Sequence, residues 1–443
     1  LVLVNVCQAL LFLQVFLTAQ AEDRLPMGVA FGGLALLSWV LYGIYRAAQR
    51  SAYELESLVF LLISIGAAVT AAYDPASLYK LLITVVMGMV LFLAMSGVLR
   101  DLHLSIRARW PVAIAAGALL AFNVVLGERI FGAKNWISIG PLSFQPSELV
   151  KIAFILAGAA TLDRLFAKRN LVFTILFSAY CVGCLALMSD FGTALIFFVA
   201  FLCIAFLRTG DLPSIAMMVA AAAFGCGIIL RFKPYIADRF AAWRHAWDYA
   251  QDIGYQQTRT MSAMASGGLF GVGPKDGWLK YVGAANTDLV FGVVGEEFGF
   301  LLALCCVAAL VIPIVFTLRC AAAARSSFYT ILSCATAAML VCQMALNVLG
   351  AVDLLPLTGV TFPFVSMGGS SMISCWGLMA YLKAADTRQN ASFALRLSKL
   401  APQQQEKKAA PAPKARPKAP QEGFFADRPD IPVDKIFGKE EDK

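Results

Sequence analysis

The chain has 443 residues, of which 60% are hydrophobic and 14% charged, with a mean hydropathy of +0.74. A soluble domain carries roughly 45–50% apolar and about 25% charged residues, so a soluble enzyme, a secreted disulfide scaffold, a coiled coil and a nucleic-acid binder are all poor readings. The net charge of +8 comes from 36 basic and 28 acidic residues, and their positions matter more than their sum.

The apolar excess falls into twelve segments, at about 1–19, 27–47, 55–73, 78–98, 110–126, 147–166, 171–189, 191–207, 213–231, 287–317, 327–349 and 361–383. Each has the length that crosses a bilayer as helix. An all-α polytopic membrane protein of about twelve spans is expected. The tenth segment is too long for a simple span and predicts an interfacial turn. The first ends in Ala19-Gln20-Ala21, which resembles a signal-peptidase site, but it lacks a basic leader. It reads as a membrane helix.

Every second connection is basic: Arg46 and Arg50; Arg100, Arg107 and Arg109; Arg164, Lys168 and Arg169; Arg208; Arg319 and Arg325; then Lys383, Arg388, Arg396 and Lys399. Positive charge marks the cytoplasmic side. Both termini are therefore expected in the cytoplasm, with loops near 127–146, 232–286 and 350–360 facing outward. Residues 401–443 hold seven of the eighteen prolines, nine basic and eight acidic residues. They read as a disordered tail, whose stretch from Phe424 to Phe437 is either plain solvated chain or a short docking motif. The cysteines lie almost entirely in apolar blocks. Cys181 and Cys184 read as packing residues, not a redox pair. His103 and His245 build no zinc motif.

Polar residues at membrane depth are costly and concentrate function. The first such cluster runs from Gly132 to Trp136, then Phe144-Gln145-Pro146-Ser147-Glu148 and Lys151. Pro146 and Ser147 predict a helix start. Glu148 and Lys151, three residues apart, share a face and can pair, either as a structural lock or as a pocket wall. Trp136 is either an interfacial anchor or a stacking ring. Asp190 reads as a helix cap at an outer turn.

The loop 232–286 carries Lys233, Arg239, Arg244, Arg259, Lys275 and Lys280 among aromatic residues, a surface suited to phosphate or pyrophosphate. Gly267-Gly268 and Gly271-Val272-Gly273 mark tight turning; without a βαβ unit they are not a nucleotide fingerprint. Asp288 stands at the mouth of an apolar helix, either as its cap or as a general base. Glu296 is expected about two turns deeper on a similar face. Leu355–Gly359 and Phe362–Ser371, with Ser366 and Ser370, break a membrane-depth segment. Irregular backbone there must be buried in protein or line a cavity.

In this order, the clusters resemble the SEDS family (shape, elongation, division and sporulation), which includes FtsW, RodA and SpoVE. The resemblance covers roughly 55–390 and rests on Phe144–Glu148, on Thr287-Asp288 with Gly295-Glu296-Glu297, and on Pro363–Ser371. It implies a bundle of about ten helices, here with two extra N-terminal spans. The organisation expected is 1–50 as added helices, 51–390 as glycosyltransferase core and 391–443 as tail. It implies an inverting peptidoglycan glycosyltransferase that polymerises lipid II at the outer face, partnered by a class B penicillin-binding transpeptidase. A divalent cation is a candidate cofactor, though no ligand cluster is evident.

Carried over by position, the essential loop aspartate matches Asp288. The buried pair matches Glu148 and Lys151, the loop arginine Arg239 and the outer tryptophan Trp136. Lys280, Ser366 and Ser370 join the substrate-binding candidates. The chain departs from the pattern at Asn135, where arginine is usual, at Arg259-Thr260, where Gln-Ser is usual, and at Met367, where tyrosine is usual. A lipid flippase and a non-catalytic scaffold are the rival readings.

Overall fold

The computed structural model describes residues 1–50, 52–130, 133–139, 142–162, 168–232, 234–322 and 327–384. Residues 393–443 form a separate unit from 1–392. That tail, together with Gly132, Lys233, Arg164, Arg325, Arg388, Arg396 and Lys399, lies outside the described residues.

Each of the twelve apolar segments forms a helix. They are α1 (Val2–Leu17), α2 (Arg24–Ala47), α3 (Glu54–Tyr73), α4 (Leu78–Val98), α6 (Arg109–Leu126), α7 (Pro146–Leu162), α8 (Lys168–Leu187), α9 (Phe191–Thr209), α10 (Leu212–Phe232), α14 (Phe300–Ala322), α15 (Ser327–Ala351) and α16 (Gly369–Ala384). Four shorter helices lie between them: α5 (Leu102–Arg107), α11 (Pro234–Ala242), α12 (Tyr255–Gly267) and α13 (Val290–Val293). Among the described residues, seven helices are long and apolar enough to cross a membrane outright, and three more are shorter but apolar. With no water at that depth, a helix satisfies its own backbone. The chain is a multi-pass membrane protein.

Local chemistry sets the ends. Pro146 opens α7, where its missing N–H costs nothing. Asp101 caps α5 by accepting from the His103 and Leu104 amides. Gly210, left-handed at φ 63°, closes α9. Two segments depart from simple spans. In the tenth, the four-residue α13 runs into a π-turn at Val294–Phe298, then breaks at Gly299 before α14 begins. The expected interfacial turn is this break. In the twelfth, residues 361–368 are irregular and α16 starts only at Gly369.

An all-helical chain was expected, yet a small antiparallel sheet follows α6: β1 (Glu128–Ile130), β2 (Ala133–Ile139) and β3 (Leu142–Phe144), in the order β1-β2-β3. The two outer strands have three residues each and show no period, and the seven-residue β2 follows a stretch rich in glycine and charge, so the sequence reading missed the sheet.

The core lies around α3 and α16. Leu62, Ile63, Ala67, Trp376 and Tyr381 are fully buried there. Helix α16 runs along α4 at Gly88, where a Cβ would stand 2.5 Å from the Trp376 ring. Small residues permit such close approach in membranes. Beside it a buried cluster joins three helices. Lys383 of α16 pairs with Glu56 of α3 at 3.0 Å and donates to the Ala52 carbonyl. The Tyr45 hydroxyl of α2 donates to the same carboxylate.

Two of the loops expected to face outward meet directly: Arg239 and Trp243 donate to the Leu357 and Leu354 carbonyls. The third joins through the turn between α8 and α9, where the Lys134 amide donates to the Met188 carbonyl and Gly192 lies against Thr358 and Val360. They build one end of the bundle, and the site lies there.

Candidate functional site

Asp288 sits in the turn before α13. Its amide and that of Leu289 both donate to the Ala284 carbonyl. The side chain is half-buried and faces Gly359, whose missing Cβ would lie 3.2 Å from Asp288 Oδ2. Crowding by protein removes water from the carboxylate, and Asp190 adds negative charge. Thr287 and Arg239 pull the other way. The net result pushes the Asp288 carboxyl up to about 6.

Gly359 itself holds φ at +69°, a left-handed conformation that a Cβ disfavours by roughly 1–2 kcal/mol. Gly359→Ala is therefore expected to destabilise the protein by about that much. Thermal unfolding of the purified protein in detergent would read the drop.

Asp190 caps α9 as expected, accepting from the Thr193 amide at 3.1 Å. Its other oxygen accepts from Asn135 Nδ2 at 2.8 Å and from Gln145 Nε2 at 3.0 Å. Thus Asn135 orients an acid. Trp136, beside it on β2 opposite Glu128, is partly exposed. Ser370 accepts from the Gln145 amide, tying the start of α16 to the start of α7.

The pair Glu148–Lys151 forms at 2.8 Å and is buried, at 4% and 1% exposure. Burying an ion pair demands full hydrogen bonding, and the helices around it supply partners. Ser374 of α16 donates to Glu148, and Lys151 donates to Gln343 of α15. Gln343 in turn donates to the carbonyl and hydroxyl of Thr361, and the Thr361 and Ser371 hydroxyls share a bond. The pair therefore reaches the irregular segment 361–368 by a chain of bonds and meets no outer surface. Ser366, also buried, donates to the Thr287 carbonyl and accepts from the Phe362 amide.

Other residues lie away from Asp288. Lys280 donates to the Lys275 carbonyl and stands 5.3 Å from the Tyr281 ring. Glu296 does not share a helix face with Asp288, because the π-turn and α13 separate them. It accepts from the Trp278 and Leu279 amides instead. The glycine stretch has a backbone role. The Gly268 and Leu269 carbonyls accept from the first amides of α14, and the Val272 and Gly273 amides donate to Glu296 and Glu297. Cys181 and Cys184 are buried and free. Among the described residues no group of three or more His, Cys, Asp or Glu side chains could hold a metal ion. Asp190 and Asp288 alone are not such a group.

The sequence reading missed Gln343, Asn347, Thr361 and Ser374. Their signal was present: two amides one turn apart, in an otherwise apolar helix.

The chain resembles proteins of known type over most of its length. It is 28% identical over 366 residues to the probable peptidoglycan glycosyltransferase FtsW of Saccharophagus degradans, covering 77% of this chain and 93% of that protein. It is 29% identical over 388 residues to the peptidoglycan glycosyltransferase RodA of Mycobacterium leprae, covering 79% and 82%. A solved peptidoglycan synthase complex, which coordinates polymerization and crosslinking, contains a chain that superposes with a TM-score of 0.63 at 25% identity, covering 76% of this chain and 98% of that one. The model of the FtsW/RodA/SpoVE cell cycle proteins matches residues 45–391, and the chain belongs to that family.

Proposed function

We propose that this protein is a peptidoglycan glycosyltransferase that polymerises lipid II into glycan strands at the outer face of the bacterial plasma membrane. One observation carries the reading to particular atoms. Asp288 is held where the outer loops converge, its carboxyl raised to about 6 and Arg239 beside it. A carboxyl in that range serves as a base near neutral pH.

The reaction needs one base. Asp288 takes the proton from the 4-hydroxyl of the acceptor sugar as that oxygen attacks the anomeric carbon of the donor. The new glycosidic bond forms as the bond to pyrophosphate breaks, and the configuration inverts. The lipid pyrophosphate leaves with the electron pair. Arg239 meets its charge, and Trp136 lines the approach. Ser366 and Ser370, with Glu148 and Lys151, support the walls of the site from within.

The alternation of basic connections supports cytoplasmic termini and the division into added helices 1–50, core 51–390 and tail 391–443. A class B penicillin-binding transpeptidase is the expected partner, in line with the solved complex that coordinates polymerization and crosslinking.

Labelled lipid II, incubated with the purified protein with and without that partner, should yield glycan polymer. Lipid II crossing liposome membranes with no polymer formed would overturn the reading in favour of a flippase. The pH profile supplies a second test. The rate constant kcat/KM should fall tenfold per unit below about pH 6, where Asp288 takes up a proton. Asp190 raises the Asp288 pKa and Arg239 lowers it. Asp190→Asn should therefore move this acid limb down in pH, and Arg239→Gln should move it up.

A further inference from the structure

We propose that Asn347 is the positioning residue that sets where the Asp288 carboxylate stands. The inference rests on Asp288 being the base.

Three successive carbonyls of the turn carrying Asp288 are each captured by a different donor. The Met367 amide donates to Asn286 O at 2.9 Å. The Ser366 hydroxyl donates to Thr287 O at 2.6 Å. Asn347 Nδ2 donates to Asp288 O at 2.8 Å. The last of these also fixes a distance. The same Nδ2 donates to the Val360 carbonyl at 2.8 Å, so one amide bridges the base-bearing turn to the strand of chain beside Gly359.

Chemistry makes the residue type specific. A primary amide offers two N–H donors from one nitrogen. Leucine has a similar shape and offers none; aspartate offers none when ionised and one O–H when protonated. The two carbonyl partners also decide which way the amide points, since Oδ1 turned toward them would repel both. Held this way, Oδ1 is buried and meets no donor among the described residues. A group tuned for stability alone would be satisfied on both sides. Asn347 gives up its acceptor to keep two donors in place.

One turn earlier on α15, Gln343 does the equivalent for Thr361 while accepting from Lys151. Residues four apart share a helix face. The two amides therefore form one edge that holds 360–361, and Asn347 alone extends it to Asp288. Without that bridge the turn keeps its anchors at Asn286 and Thr287 but loses the one on the base itself. A displacement of about 1 Å at a reacting group can cost around a hundredfold in rate.

The test compares Asn347→Leu and Asn347→Asp with wild type and Asp288→Asn, as purified full chains polymerising labelled lipid II. Leucine removes both donors at nearly constant volume and suits a buried membrane site. Both Asn347 variants should lower kcat tenfold to a hundredfold with KM within twofold. In Asn347→Leu the acid limb should also move from its wild-type position, as the carboxyl shifts relative to Arg239 and Asp190. Wild-type kcat and an unmoved limb in Asn347→Leu, beside an inactive Asp288→Asn, would overturn the positioning role and leave the function standing. Amide hydrogen exchange over 284–289 gives a readout independent of turnover. Exchange at least tenfold faster in Asn347→Leu supports the bridge, and unchanged exchange overturns it even if wild type makes no polymer.

Discussion

Asp288→Ala is expected to lower lipid II polymerisation by about 100- to 10,000-fold, the range a positioned general base contributes, while leaving the fold intact. The fold should survive because the turn is held through its backbone. The Asn286, Thr287 and Asp288 carbonyls keep their donors when the carboxylate is gone. Removing a half-buried carboxyl with a raised pKa also relieves a desolvation cost. An unchanged melting temperature with polymer lost would match the expectation. Polymerisation retained in the purified variant would remove Asp288 from the mechanism.

The second large effect is on stability. Glu148→Ala leaves the Lys151 ammonium, 1% exposed, with Gln343 as its remaining partner among the described residues. Removing one member of a buried ion pair typically costs about 3–5 kcal/mol, because the other charge is stranded. Glu148→Gln keeps an acceptor and should cost less. The double variant Glu148→Gln/Lys151→Met removes the stranded charge, so it should recover most of the loss. Thermal unfolding in detergent separates the three. Loss of activity in Glu148→Ala should follow loss of fold, since the pair touches the site indirectly, through Gln343 and Thr361 and through Ser374 of α16.

The spans were legible because a bilayer demands apolar blocks of about twenty residues, and each of the twelve blocks forms a helix. The start of α7 at Pro146 and the cap at Asp190 were also legible, because both rest on local backbone chemistry. The break at Gly299 was only half legible. Segment length announced a turn, but the eight-residue spacing of Asp288 and Glu296 implies one helix face, whereas Asp288 precedes α13 and Glu296 lies inside the π-turn. The sheet over 128–144 was hidden by its short outer strands. Gln343 and Asn347 were missed for another reason. They carry no charge, yet an uncharged amide is also costly in an apolar helix, and two of them one turn apart mark a face with carbonyls to hold.

The N-terminal hairpin of α1 and α2 is fastened at both ends. At one, Asp23 before α2 pairs with Lys275 at 2.7 Å; at the other, Tyr45 donates into the buried Glu56–Lys383 cluster. The first contact is partly exposed and contributes little energy, but it fixes direction. A rod pinned at one point swivels, whereas a rod pinned at two acts as a splint. Tilting at the α3–α16 cluster and movement of the 271–277 loop therefore act on opposite ends of one helix, α2.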